Sequence, residues 1–554
     1  MARMGLWLVG LVLARSLSFG QVPPQAPPRD PTQPAKPAGN ATIRGHVVAA
    51  DSGQPLRKAQ VRIFSGELRE NRLVSTDAQG AYELKDVIAG RYNVSAAKGS
   101  YVSLQYGQQR PFEPGKPLEI LAGQTLEKVD FSLPRGAVIT GRVLDEFGEP
   151  LPDAMVSVQR YQSIGGQRRL VSAGRVATSN DIGEYRIFAI PPGHYYLSAT
   201  MRPMGMMGDS DDRSGYAATY FPATTNIAES QRVTVGLGQA ISDMNIAMLP
   251  TRTSRVSGTA LDSQGRPMAG MVMALPRGDT MFMGFGPPAQ IKADGSFVVS
   301  GLTPGRYMLQ VRGGFGDGES ASADITVSGD DVTGVRLAAS TPSIVTGRVL
   351  VDPAAAQTLQ TGTLRLGLQP VQMDMITMGG MPPVPVKDDL TFELKAQPGQ
   401  FRVSLLGQVA GWSVRTVRYR GSDVTDAGIE FRPNEDVTEV EVELTNKVTE
   451  VRGLVTNGKS QAVTDYSIVV FPQDRSKWTP NSRYVRTGRP DQDGRFKVNG
   501  LPPGEYHIVA LDYLDTSGDW NDAESLDRLR AKAASFSINE GETKSIDLKI
   551  VSVS

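Results

Sequence analysis

Asp77-Ala-Gln-Gly80-Ala-Tyr82, followed ten residues after its glycine by Gly90-Arg-Tyr92, is the stretch that decides the architecture. The phrase returns as Asn180-Asp-Ile-Gly183-Glu-Tyr185 with Gly193-His-Tyr195, as Asp294-Gly295-Ser-Phe297 with Gly305-Arg-Tyr307, and as Asp493-Gly494-Arg-Phe496 with Gly504-Glu-Tyr506. In all four the two glycines stand ten residues apart, which fixes a strand, an apolar corner and a second strand at constant length. A degenerate copy keeps only Phe392 and Pro398-Gly399-Gln-Phe401, one residue shorter.

Working outward, each copy opens with an alternating strand that carries a glycine: Ile43-Arg-Gly45-His-Val47, Ile139-Thr-Gly141-Arg-Val143, Val256-Ser-Gly258-Thr-Ala260, Val345-Thr-Gly347-Arg-Val349 and Val451-Arg-Gly453-Leu-Val455. In the first three copies a Gly-Pro turn and a second strand follow, as in Asp145-Glu-Phe-Gly148-Glu-Pro150-Leu151-Pro-Asp-Ala154-Met-Val156. Each copy closes on another alternating strand, such as Val129-Asp-Phe131-Ser-Leu133. Period-two patterning with one apolar face needs a second sheet to cover it, so the expected fold is all-β: a tandem array of about five seven-stranded β-sandwiches. The predicted boundaries are 41–135, 136–251, 252–341, 342–447 for the degenerate repeat, and 448–554. Links such as Pro134-Arg-Gly136 are only a few residues long, which predicts a stiff rod. One short helix is expected in the last sandwich over 521–533, with Asn521 as its cap and Leu526, Leu529 and Ala533 on one face.

Before the array, residues 1–20 place Arg3 ahead of the apolar run Leu6 to Leu13 and small residues before Gln21, the pattern of a secretory signal peptide. The run is too short to span a bilayer, so no transmembrane anchor is expected after cleavage. Residues 21–40 are proline-rich and read as a semi-rigid linker. The expected location is extracytoplasmic, periplasmic or secreted.

The V-x-G-x-V, D-x-x-G-x-P-L-x-x-A-x-V, D-x-x-G-x-Y and L-x-P-G-x-Y elements resemble the carboxypeptidase regulatory-like domain, also called transthyretin-like. That resemblance implies prealbumin-like or Ig-like sandwiches, related in shape to carbohydrate-binding sandwiches, in a bacterial secreted multi-repeat protein. The zinc-binding catalytic domain to which such appendages are attached has no counterpart here, so no peptidase activity is implied.

The 58 basic and 58 acidic side chains cancel, which leaves no electrostatic footprint for nucleic acid. There is no cysteine, and the three histidines, His46, His194 and His507, belong to different repeats. Nucleophile-elbow, zincin and phosphate-loop motifs are missing. No cofactor or metal is implied, and the chain reads as non-catalytic.

Several residues are candidates for contact. Asp77, Asp181, Asp294 and Asp493 sit at loop tips where calcium binds in other proteins, yet each turn offers about one carboxylate, and bonding to the turn's own amides explains them with fewer requirements. Tyr216, Tyr220, Phe221, Trp412, Trp478, Tyr484 and Trp520 are loop or strand-end aromatics on which sugar rings can stack, or else half-buried core. Methionines cluster at Met201, Met204, Met206 and Met207, at Met268 to Met283, and at Met373 to Met381. Thioethers bind Cu(I), form pliable contact patches, or pack against sheet edges. Met281 and Met283 fall in a loop corresponding to that of Met373, Met375, Met378 and Met381 in the adjacent unit, which makes these six a candidate partner patch. The expected function is a binding or scaffold module for a protein or polysaccharide. The alternatives are a carbohydrate-binding protein proper and an accessory subunit of an envelope or extracellular enzyme.

Overall fold

A Cβ added at Gly45 would lie 2.1 Å from the carbonyl oxygen of Val129, and one at Gly141 2.2 Å from that of Met244. At Gly258, Gly347 and Gly453 the distance is 2.0 Å, to the carbonyls of Val335, Val440 and Ile546. The last strand of every repeat therefore approaches the first at a separation that only a bare Cα permits. The two strands run parallel, with Val47 opposite Phe131, Val143 opposite Ile246 and Val455 opposite Leu548. In the first two repeats the aromatic of the turn phrase seals the same point: the hydroxyls of Tyr82 and Tyr185 donate to the carbonyls of Val129 and Met244 at 2.6 and 2.5 Å.

The computed structural model describes residues 39–552 except 67, 69, 111, 165–166, 202–212, 279, 282–287, 313–318, 360, 372–381, 407–410, 480, 517 and 519. The signal-peptide and most of the linker reading lie outside the described residues.

The ten-residue spacing has an equally local cause. Tyr92, Tyr195, Tyr307 and Tyr506 each donate a hydroxyl hydrogen bond to the carbonyl four residues back, that of Ile88, Pro191, Thr303 and Pro502, at 2.6 to 2.9 Å. Strand, corner and strand are thus tied by one ring, whose position depends on the corner's length. The fourth copy has Phe401 there, with no hydroxyl, and its ring packs against Phe431 at 6.1 Å instead.

Each repeat is a sandwich. In the first, Ala41–Ala49 lies between Ala81–Val87 and the last strand Phe131–Leu133. The facing sheet has the order Glu70–Ser75, Gln60–Ser65, Gly90–Ala97, with Leu118–Ile120 beside the last of these. Inward residues of both sheets make the core, among them Ile43, Val61, Ile63, Tyr92, Val94 and Phe131. Four further apolar cores follow along the chain, built around Ile139 and Tyr195, Val256 and Leu309, Val345 and Val442, and Val451 and Ile508. The fourth sandwich adds Ser413–Tyr419 to its first sheet, beside Val437–Thr445.

Three local expectations change. The turn amides of the second and fifth copies are accepted by Asn180 and Asp491, one and two residues before the aspartates singled out in the sequence; Asp77 and Asp294 do bond their own turns. The helix runs Ala523–Arg530, capped by Asp522, whose carboxylate accepts the Ser525 amide at 2.6 Å. Asp522 stands three residues before Ser525, the spacing a cap needs, and Asn521 does not. A second, single-turn helix, Pro353–Ala356, starts at Asp352 with Pro at its first position.

The largest difference is in the array. Short links join successive sandwiches, but they do not make a rod, because the fifth sandwich packs on the first. Arg489 donates to Glu113 at 2.6 Å, Lys116 to the Thr464 carbonyl at 2.6 Å, and Gln492 exchanges two hydrogen bonds with the backbone of Glu119, each 3.1 Å. Stiff links fix each neighbour angle, and the sum of those angles, which alternating strand patterns do not encode, here brings the two ends together.

Candidate functional site

The docking point is the loop from Gly107 to Pro117 in the first sandwich. Phe112 lies in the left-handed region at φ 62°; its ring sits 3.4 Å beneath the guanidinium of Arg160 from the second sandwich. Its carbonyl accepts a bond from Thr516 of the fifth at 3.1 Å. Burial pulls the Arg160 guanidinium below its ordinary value, opposed by the Asp515 carboxylate of the fifth sandwich. Next to it, Glu113 accepts the amides of Gln109 and Arg110 with one oxygen and Arg489 with the other. The Glu113 and Arg489 side chains are 1% and 2% exposed. Arg489 also reaches Asp465 at 2.7 Å, so its buried charge is matched from both sides. A pair this deep is costly to desolvate, and removing one partner strands the other, at about 3–5 kcal/mol. Geometry is thereby specified: the first, second and fifth sandwiches meet at one loop.

The circuit closes through the remaining junctions. Leu170 and Val171 of the second sandwich pair with Thr280 and Met281 of the third, and Arg213 of the second forms an ion pair with Asp331 of the third. Ser320 bonds Gln397 between the third and fourth, and Arg483 bonds Asp426 at 2.9 Å between the fifth and fourth.

Two crevices flank the first sandwich. One, of about 420 Å³, opens beside the docking loop between Phe64, Arg91 and Asn93 of the first sandwich and Arg486, Lys497 and Asn499 of the fifth. The other, of about 520 Å³, lies against the second sandwich, with Lys58, Gln60, Lys98 and Tyr101 facing Arg175. Among the described residues neither is lined by a carboxylate. Burial, with Arg483 nearby, pulls the Arg486 guanidinium below its ordinary value.

The aromatics nominated from sequence are placed mainly in packing. Tyr220, Phe221 and Trp478 are buried, and the Trp478 indole donates to the Pro472 carbonyl at 2.7 Å. Trp412 packs on the fourth core, and Trp520 on a cluster in the fifth sandwich. Tyr216 is half-buried and donates to Glu146 at 2.7 Å. Tyr484 is half-buried under Lys477 and bonded to Asp426, and burial raises its phenol. Met281 pairs through its backbone; Met283, Met373, Met375, Met378 and Met381 lie outside the described residues, as do Met204, Met206 and Met207. His46, His194 and His507 stand in three different sandwiches. Among the described residues no group of three or more acidic or histidine side chains is placed to hold a metal ion, and no helix is long and apolar enough to cross a membrane.

Glu113 and Arg489 carried no signal in the sequence beyond one oddity. Each is a charge next to proline, in Pro111-Phe-Glu113-Pro114 and Gly488-Arg489-Pro490, where a solvated turn is the ordinary reading.

Comparison with known proteins agrees with the repeat reading. Residues 42–134 and 138–249 each match the family model of the carboxypeptidase regulatory-like domain, so the array begins with two such domains. Among solved structures, a streptococcal ancillary pilin is similar at 14% identity, over 54% of this chain and 98% of its own, with a TM-score of 0.20. Two B repeat units of the collagen-binding protein of Staphylococcus aureus are similar at 12% identity, over 73% of this chain and 99% of theirs, with a TM-score of 0.13. No curated protein matches the chain.

Proposed function

We propose, for an array that opens with two carboxypeptidase regulatory-like domains, a non-catalytic scaffold that works outside the cytoplasm and holds a protein or glycan partner on fixed outer surfaces. The observation that carries this reading is the buried Arg489 to Glu113 pair, which locks the last sandwich onto the first. A chain whose units are fixed relative to one another presents repeated shallow contacts at set distances, and such contacts gain strength from being engaged together. The N-terminal leader pattern supports the location. The open, carboxylate-free crevices support binding over catalysis, since acid–base chemistry needs a positioned proton donor and acceptor.

The test is binding of the full chain to a glycan array and to purified envelope polysaccharide, with and without Glu113→Lys, which sets like charges against each other at the lock. Binding that weakens at least tenfold in the variant supports a scaffold that depends on closure. Equal binding by both proteins, or turnover of a peptide, ester or glycoside panel by the wild type, contradicts it.

A further inference from the structure

The outer face of the second sheet of the first sandwich is exposed, and along Gln60–Ser65 and the residues beside it the outward charge is basic. Gln60, Arg62 and Phe64 point outward along one strand, while Val61 and Ile63 point into the core. Cross-strand register sets Leu73 and Ser95 on either side of Arg62, and Asn71 and Asn93 on either side of Phe64. Phe64 and Leu73 are 47% and 52% exposed and stand as diagonal neighbours, close enough to form one apolar step. Around that step the face carries the amides of Gln60, Asn71 and Asn93, the hydroxyl of Ser95 and the guanidinium of Arg62, while at its edge Arg91 stands opposite the carboxylate of Glu119.

Each end of the face runs into a crevice that adds cations. Phe64 and Asn93 line the one that reaches Arg486 and Lys497, and Gln60 and Ala97 line the one that reaches Lys58 and Arg175. Some of this charge is satisfied: Lys497 pairs with Glu450 at 3.1 Å, and Arg91 approaches Glu119 at 3.7 Å. Some is not. Among the described residues Arg486 donates only to the carbonyls of Ser482 and Val485, at 3.4 and 3.2 Å, and Arg62 meets no carboxylate. A guanidinium held among carbonyls, with its solvation reduced and no counter-ion, favours an anion that arrives from outside.

We infer that this face, from the crevice at the fifth sandwich to the crevice at the second, binds an anionic polysaccharide. Strand Gln60–Ser65 alone gives a path of roughly 15–20 Å at about 3.4 Å per residue, and the crevices extend it. Sugar rings rest on the Phe64 and Leu73 step, hydroxyls are met by Asn71, Asn93 and Ser95, and acid groups by Arg62 and Arg486. A neutral chain would leave the cations unused, and a flat apolar partner would bury them unpaired. The inference deepens the binding half of the proposed function and does not depend on the lock having a role of its own.

The experiment is affinity electrophoresis of the full chain through gels containing polygalacturonate, alginate or dextran sulfate, with neutral dextran as reference. Run above the pI of about 6.9, the chain is net negative, so retardation by a polyanion reports a local basic surface. The expected result is retardation by at least one acidic polymer and none by dextran, with at least tenfold weaker binding for Arg62→Gln combined with Phe64→Ala, and a severalfold loss for Arg486→Gln. Arg348→Gln, an exposed arginine of the fourth sandwich that lines neither crevice, should bind as wild type does. No retardation by any of the three polymers overturns the inference, as does equal loss in the Arg348→Gln control or equal retention by double-stranded DNA. A label distance between the first and fifth sandwiches, measured on the same proteins, separates failure of this site from failure of the lock.

Discussion

Strand Gln60–Ser65 of the first sandwich and strand Ser467–Pro472 of the fifth occupy the same place in the same fold, yet their outer faces have opposite fates. The first alternates, with Gln60, Arg62 and Phe64 outward over a buried Val61 and Ile63. The second, Ser467-Ile-Val-Val-Phe471-Pro472, is buried along its whole length. Ile468 and Val470 join the sandwich core, while Val469 and Phe471 point the other way into a second cluster with Trp478, Leu514 and Leu526. The insertion that carries helix Ala523–Arg530 is the lid of that cluster. A continuous apolar strand is the mark of a sheet covered on both faces, and an alternating one of a sheet covered on one. The framework is thus common to the repeats, and the outer face is where they were free to diverge.

The comparison can be broken first at what the two sandwiches share. Gly45→Ala and Gly453→Ala each drive a methyl group to within 2.1 and 2.0 Å of a backbone carbonyl, so each should unfold its own sandwich, read as loss of amide protection confined to that repeat. Tolerance at one glycine and not the other would mean that the parallel closure differs between them. The corner tyrosines are shared as well: burial raises the phenols of both Tyr92, with Glu70 adding to it, and Tyr506. A raised folded-state pKa gives stability that is whole below the ordinary tyrosine value of about 10 and is lost as pH climbs through the higher one. Phenolate absorbance should therefore lag behind that of free tyrosine in both repeats and appear with unfolding. Early titration of either would contradict the corner bond.

The difference between the faces is sharpened by one pair of truncations. Phe471→Ala opens a cavity between strand and lid and should cost about 3–5 kcal/mol in denaturant unfolding. Phe64→Ala removes a ring from solvent and should change stability by no more than about 0.5 kcal/mol. Equal costs would mean that the outer face of the first sandwich is covered too.

Much of this was legible in the residues. The five glycines of the opening strands, the ten-residue spacing and the turn phrases report contacts within one repeat, made by neighbours in the same sheet pair, so period and residue type suffice to find them. The helix was legible for the same reason, although its cap is Asp522, because two adjacent polar residues can each begin a turn and only the amide geometry decides. The aromatic candidates show the limit: Trp478 and Phe221 stand in loop-like stretches by sequence, and their burial comes from packing that no periodicity records. Closure was invisible. It rests on Glu113 and Arg489, separated by nearly the whole array and carried on turns, where a charge ordinarily meets water.

The most direct test of closure uses the absence of cysteine, which lets two spin labels be placed without background. Leu121→Cys and Arg495→Cys put them two and three residues from the Glu119 to Gln492 contact. At no more than about 3.6 Å per residue, a closed array predicts a single label separation under about 30 Å in the full chain. An open rod would place the first and fifth sandwiches about 100 Å apart, four steps of one domain diameter, and leave no distance to measure.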